Sequence, residues 1–270
     1  SDNQMVYASY TTAVKAGGNN PNSTGTPDPY AQEETGVFEI GTKSILLDGA
    51  MLLNATAFLN DTKGMLISSI VEAGSKNNNV DAEVKGFEGN MIMFLSETVR
   101  FDFNWLAVKS EIGSFSLINP LNPFNASNFN SAGVNADPQG VVRFMVTDKG
   151  VLFKSAGSLC GAPFNPAGGV PCPAGAQGIP TDVTGNELPN SPELSYSMSL
   201  NKDVISDNGV TSFRLTHRFQ SERWSDVYNS ERGSMGEHKF WDMRITYQPN
   251  DADWYLALEG KNLADDVFEQ

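Results

Sequence analysis

Arg214, Arg218 and Arg244 are the residues whose type and spacing best suit chemistry. Arg214 and Arg218 stand four apart in an alternating segment, and Arg244 takes the same side of a second one. Side chains an even number of steps apart share one face of a strand. The three could therefore line one wall and attract an anionic ligand through charge-assisted, forked hydrogen bonds. Asp242 and Glu259 fall on that face too, and pairing across neighbouring strands would spend the arginine charge on the wall itself. Cys160 and Cys172 lie in a Gly/Pro-rich stretch with no competing thiol. In an oxidising compartment they would form a disulfide, worth roughly 3 kcal/mol of chain entropy. His217 and His238 stand far from both cysteines, without the spacing of zinc ligands. The acid pairs Asp251 with Asp253 and Asp265 with Asp266 lack a calcium-loop frame and sit where turns favour Asp. No G-x-S-x-G, H-E-x-x-H or phosphate loop occurs, so no catalytic residue, no metal and no cofactor is expected.

Composition narrows the partners. Lys and Arg number 18 against 32 Asp and Glu, a formal charge of -14, and this leaves no basic surface to displace counterions from nucleic acid. The longest apolar run, residues 91–95, is far short of the roughly 20 residues of a helical membrane span. A mean hydropathy of -0.29 suits a soluble protein, but it also suits a barrel whose strands alternate lipid-facing and lumen-facing residues. Polar residues follow Ser1 without the basic and apolar stretches of an export signal. The expectation is a leader already removed or a chain that begins inside a longer protein.

The elements that must position these residues are strands. In 193–201, Leu194, Tyr196, Met198 and Leu200 alternate with Ser195, Ser197, Ser199 and Asn201. In 210–220, Thr211, Phe213, Leu215, His217 and Phe219 alternate with Ser212, Arg214, Thr216 and Arg218, and Ser206-Asp-Asn-Gly209 supplies a hairpin turn between the two. Trp241, Met243, Ile245 and Tyr247 oppose Asp242, Arg244, Thr246 and Gln248, and a turn at 249–253 leads into Trp254, Leu256 and Leu258. With similar segments around Phe38, Leu53 and Phe103, the alternation predicts about nine strands of the roughly 9 to 11 residues a tilted membrane crossing needs.

The connections differ by end. Turns at 47–49, 96–98 and 207–209 are short, whereas 16–34, 74–79, 112–192 and 223–236 read as long loops rich in Asn, Gly, Pro and Ser. An outer-membrane barrel has this asymmetry, with tight periplasmic turns and large extracellular loops. Charged residues support it, because Glu39, Lys43, Glu88, Asp102, Arg214, Arg218, Asp242, Arg244, Glu259 and Lys261 all oppose the apolar face. A wide, wet lumen accepts both signs of charge, and so does bulk water outside a β-sandwich. Tyr7, Tyr10, Trp224, Tyr228, Trp241, Tyr247 and Trp254 near strand ends would suit interfacial girdles.

Several strings resemble TonB-dependent receptors of bacterial outer membranes. They are Val6-Tyr7-Ala8-Ser9-Tyr10, then Glu33-Glu34-Thr35-Gly36-Val37-Phe38-Glu39-Ile40-Gly41-Thr42-Lys43-Ser44, then Leu53-Asn54-Ala55-Thr56-Ala57-Phe58-Leu59-Asn60-Asp61, Val84-Lys85-Gly86-Phe87-Glu88 and Leu258-Glu259-Gly260-Lys261-Asn262-Leu263-Ala264-Asp265-Asp266. The resemblance implies an all-β fold, a transmembrane antiparallel barrel of about 22 strands of which residues 1–270 supply the C-terminal part. It further implies a plug domain and a TonB-contacting region upstream of Ser1, and one more strand after Gln270. Its implied partners are outer-membrane lipid, the TonB complex and a small-molecule ligand such as a ferric siderophore. Its implied activity is active uptake of a scarce nutrient without bond chemistry. Within it, residues 112–192 form a long extracellular loop and the candidate ligand contact. A passive outer-membrane channel, a soluble surface β-protein that binds carbohydrate, and a hydrolase on a β scaffold are the rival readings.

Overall fold

A computed structural model describes residues 3–20, 28–71, 74–118, 144–147, 150–153 and 180–267. Nine strands form one sheet: β1 (Gln4–Lys15), β2 (Glu33–Leu46), β3 (Met51–Val71), β4 (Gly74–Ser96), β5 (Val99–Ile112), β6 (Leu194–Ser206), β7 (Gly209–Gln220), β8 (His238–Pro249) and β9 (Leu256–Gly260). Each strand pairs antiparallel with the next in chain order, and β1 and β9 are the edges of the open sheet.

Register carries the sequence alternation across the sheet. Phe103 of β5 stands opposite Met198 of β6, which opposes His217 of β7, which opposes Trp241 of β8. The rows on either side run Trp105, Tyr196, Phe219 and Phe101, Leu200, Leu215, Met243. Interleaved rows of the other face run Asp102, Ser199, Thr216, Asp242 and Arg100, Asn201, Arg214, Arg244, Glu259. A slip of one residue would exchange the two faces on any strand, so burial of one face in lipid fixes the pairing.

The apolar face is uncovered. Ile40 is 49%, Leu200 45% and Leu258 65% exposed to solvent in the isolated chain, positions a sandwich would bury under a second sheet. An apolar surface this wide belongs against lipid. Aromatic rings mark one boundary of the band: Phe87 and Phe103 lie 5.7 and 5.2 Å from Trp105, Tyr196 lies 5.1 Å from Phe219, and His217 lies 4.4 Å from Trp241. Just beyond it the same face turns charged, with ion pairs Lys85–Glu83 and Lys109–Glu111 at 3.0 and 2.5 Å. Toward the short turns, Tyr247 and Trp254 mark the other boundary, 6.2 Å apart.

Three girdle expectations are corrected. Register with Gly41 places Tyr7 on the inner face, where its hydroxyl bonds Thr56 Oγ1 at 2.8 Å. Trp224 and Tyr228 lie in the connection between β7 and β8, and Tyr228 packs against a buried cluster there. The supposed loop at 74–79 is also corrected, because β4 begins at Gly74 and its pairing with β3 runs out to Val71↔Gly74. The Asn77-Asn78-Asn79 run is a poor strand former by propensity. Tertiary cover overrides it, since Ile67 and Val80 of this protruding hairpin are 8% and 2% exposed beneath the neighbouring loops.

Candidate functional site

Beyond the lipid band, Val80 and Ile112 continue the inner face of β4 and β5, joined by Ile67 of β3. Leu117, Val183 and Val227 from the two following connections pack on them, with Phe115, Leu188 and Tyr228 at the margins. Val183 is fully buried. A short stem pairs Pro180–Asp182 with Ser116–Ile118, so the long connection leaves the wall as an ordered base. Gly185 donates to the Ile112 carbonyl and Ile112 to the Asn186 carbonyl, both at 2.8 Å, and the Leu188 amide donates to Ser110 Oγ at 3.0 Å.

Asparagine side chains tie this base to the next connection. The Glu187 amide donates to Asn229 Oδ1 at 2.7 Å, Asn229 Nδ2 returns a bond to the Glu187 carbonyl at 3.1 Å, and Asn186 Nδ2 reaches the Val227 carbonyl at 2.9 Å. Asn229 itself has φ 47°, a left-handed conformation that Asn tolerates better than most residues. The two connections thus form one ledge over the inner edge of the wall. Partial burial pushes the Glu187 carboxyl above the ordinary glutamate range, helped by the charges of Glu193 and Glu222 and opposed by a hydrogen bond from the Trp224 side chain. Asp182, at the stem, is held low by the hydroxyl and amide of Thr184, at 2.5 and 2.9 Å.

A second brace joins the β1–β2 connection to the protruding hairpin. The Asn20 carboxamide accepts from the Asn77 amide at 2.7 Å and donates to its carbonyl at 3.1 Å. Asn79 does the same for Ala31, at 2.7 and 3.0 Å. Sequence reasoning missed both braces and the ledge. Isolated apolar residues such as Val183 and Val227 inside polar connections were the one available signal.

Below the ledge the inner wall is lined by hydrogen-bonded polar groups, Asn54 to Asn90 at 3.0 Å and Ser199 to Thr216 at 2.8 Å among them. The structure separates the three arginines singled out above. Arg218 forms an ion pair with Asp242 and lies 5.9 Å over the Phe240 ring. Asp242 also accepts the Asn262 amide at 2.9 Å. Arg214 and Arg244 stand opposite each other in register, and among the described residues no carboxylate comes within ion-pair distance of either. Glu259, opposite Arg244 on its other side, lies 4.0 Å from Lys261. Cys160 and Cys172 lie outside the described residues.

An open meander with one lipid-suited face, one wet charged face and long connections at one end describes a piece of a large membrane barrel. The sequence matches the family "TonB dependent receptor-like, beta-barrel" over residues 1–263. The chain belongs to the TonB-dependent receptor family. Family members are β-barrels of the Gram-negative outer membrane, receptors and transporters and not enzymes, and this TonB-dependent receptor chain is barrel wall from that membrane. Solved structures share its fold. The ferric yersiniabactin uptake receptor FyuA from Yersinia pestis is similar with a TM-score of 0.62 at 17% identity, over 98% of this chain and 30% of that one. The siderophore receptor PiuA from Acinetobacter baumannii gives 0.58 at 19% identity, over 98% and 30%. The ferric citrate transporter FecA gives 0.58 at 17% identity, over 99% and 32%. The TonB-dependent receptor chain therefore spans about a third of the length of these structures. None of the curated proteins compared with it matches the sequence.

Proposed function

We propose that the protein carrying this chain takes up a scarce nutrient in the form of an anionic metal chelate such as a ferric siderophore, driven by the TonB complex. The observation that carries the reading is the ledge, a pair of connections locked together over the inner wall at the end opposite the short turns. Such a base holds a long loop where an external ligand arrives. Residues 112–192 are then the extracellular ligand-contacting loop, with Cys160 and Cys172 closing a short disulfide loop within it. Of the inner-wall arginines, Arg214 and Arg244 would draw an anion inward, the charge of Arg218 being balanced by Asp242. Siderophore and ferric citrate receptors among the similar structures favour iron as cargo. Energy coupling and TonB contact fall to parts of the protein outside this chain, where movement of an internal domain opens the route.

The test is uptake of radiolabelled iron as a panel of ferric chelates, in cells with and without the intact gene under iron limitation. Chelate-specific uptake that collapses with a protonophore supports the reading. Uptake that survives the protonophore would make the protein a passive channel, and no gene-dependent iron uptake would remove iron from the proposal.

A further inference from the structure

On the inner wall two arginines are paired with acids, Arg100 with Asp102 at 3.0 Å and Arg218 with Asp242. Among the described residues Arg214 and Arg244 have no such partner, although they face each other directly across β7 and β8. Like charges opposite one another in an antiparallel pair destabilise the sheet, with side chains only about 5 Å apart at their bases. Arg214 has one weak contact, from Nη2 to Ser199 Oγ at 3.4 Å. Of the nearby acids, Glu97 lines the same space without an ion pair to either arginine, Glu259 lies 4.0 Å from Lys261, and two others are engaged. Asp102 accepts from Asn201 as well as Arg100, at 2.7 Å. Asp203 accepts the Ser212 hydroxyl at 2.6 Å. A hollow of about 380 Å³ opens beside Arg214 and Arg244, bordered by the neutral Asn201, Ser212 and Thr246 and by the charged Arg100, Asp203 and Glu97. It reaches the Ser96–Thr98 turn, and so lies toward the short-turn end of the wall, away from the ledge.

We propose that Arg214 and Arg244 form a carboxylate site in which one anion bridges the two guanidinium groups. Each guanidinium offers paired N–H donors in a planar fork that matches a carboxylate. A bridging anion turns the repulsion between the two cations into two charge-assisted contacts, and neutral donors around the hollow complete its coordination. The carboxylate is either that of a small solute in the lumen or an acidic side chain from another part of the whole protein. The site uses two arginines on which the uptake reading also draws, but it rests on the wall geometry and does not require that reading.

The test is arginine modification by phenylglyoxal in the complete detergent-purified protein, read peptide by peptide by mass spectrometry, with N-acetylarginine as the free reference. Citrate is the added probe. Protection of Arg214 and Arg244 together, about tenfold and only with citrate, supports the site with a solute as occupant. Protection without citrate that Arg214 loses in the Arg244→Gln variant supports it with the protein's own carboxylate as occupant. Reaction of both at the reference rate with and without citrate overturns the proposal. So does protection of Arg214 that persists unchanged in Arg244→Gln, which would be simple burial. The wild-type comparison with and without citrate stands even where the variant does not fold, and neither readout depends on which nutrient is carried.

Discussion

The carboxamide of Asn79 holds the peptide of Ala31 as an adjacent strand would, accepting its N–H at 2.7 Å and donating to its carbonyl at 3.0 Å. It donates to the Gly64 carbonyl as well, at 2.7 Å. Leucine at this position keeps the volume and removes all three bonds, leaving the Ala31 amide to water or to nothing. Asn79→Leu should lower the local opening free energy at Ala31 by about 2 kcal/mol. Hydrogen exchange of the Ala31 amide should quicken accordingly, with the Phe38 amide on β2 unchanged. Equal protection at Ala31 in both proteins would show that the brace contributes nothing.

Val183 is, with Ile112, a fully buried member of the ledge cluster. Removing two methyl groups by Val183→Ala should cost the ledge about 2 kcal/mol. The loss is confined to the ledge and the protruding end of the β3–β4 hairpin, because the lipid-facing part of the sheet lies outside this packing. Surface protease on whole cells should nick residues 112–192 faster in the variant, while heat resistance of the barrel in detergent stays as in wild type. A drop in barrel stability without faster nicking would contradict this assignment.

Glu187 makes the ledge sensitive to pH. Its folded carboxyl titrates above the ordinary value because it is partly buried among Glu193 and Glu222. The folded ledge therefore holds its proton over a window in which the opened ledge has lost it. Stability falls as pH rises from the ordinary glutamate value to the raised one, and is constant outside that window. Exchange of amides 185–188, corrected for intrinsic rates, should report looser packing above the window than below it. Glu187→Gln should abolish the change and resemble the low-pH wild type. A variant with the same pH dependence as wild type would place the titration elsewhere.

Gly89 sits beneath the Trp105 indole, where a β-carbon would collide with the ring and with the Asn54 carbonyl. The ring covers backbone that a side chain would otherwise occupy. Gly89→Ala should displace Trp105 from its place beside Phe87 and Phe103 and shift its tryptophan emission. Because backbone also blocks the new methyl, folding yield in detergent should fall by several-fold relative to Ala57→Gly, which opens space instead of closing it. Unchanged emission and yield would mean that the ring moves at no cost.

Much of the wall was legible in the sequence because lipid on one side and water on the other impose a period of two. Leu200 and Leu215 alternate with Asn201 and Arg214 in the sequence as they do in the sheet. Short turns at one end and long connections at the other gave the strand order, since each strand pairs with its sequence neighbour. Tertiary structure decided what periodicity cannot encode. Three consecutive asparagines became strand because the hairpin they extend is buried by loops far off in the chain. Tyr7, aromatic and near a strand end, turned inward because only its register with Gly41 sets its face. Arg218 found Asp242 while Arg214 met Arg244, since salt-bridge partners depend on which residues of different strands come level. Sequence alone determined the faces, because each strand reads its own surroundings. Only the assembled sheet decided the partners, because those are set by contacts between segments that are independent until they fold.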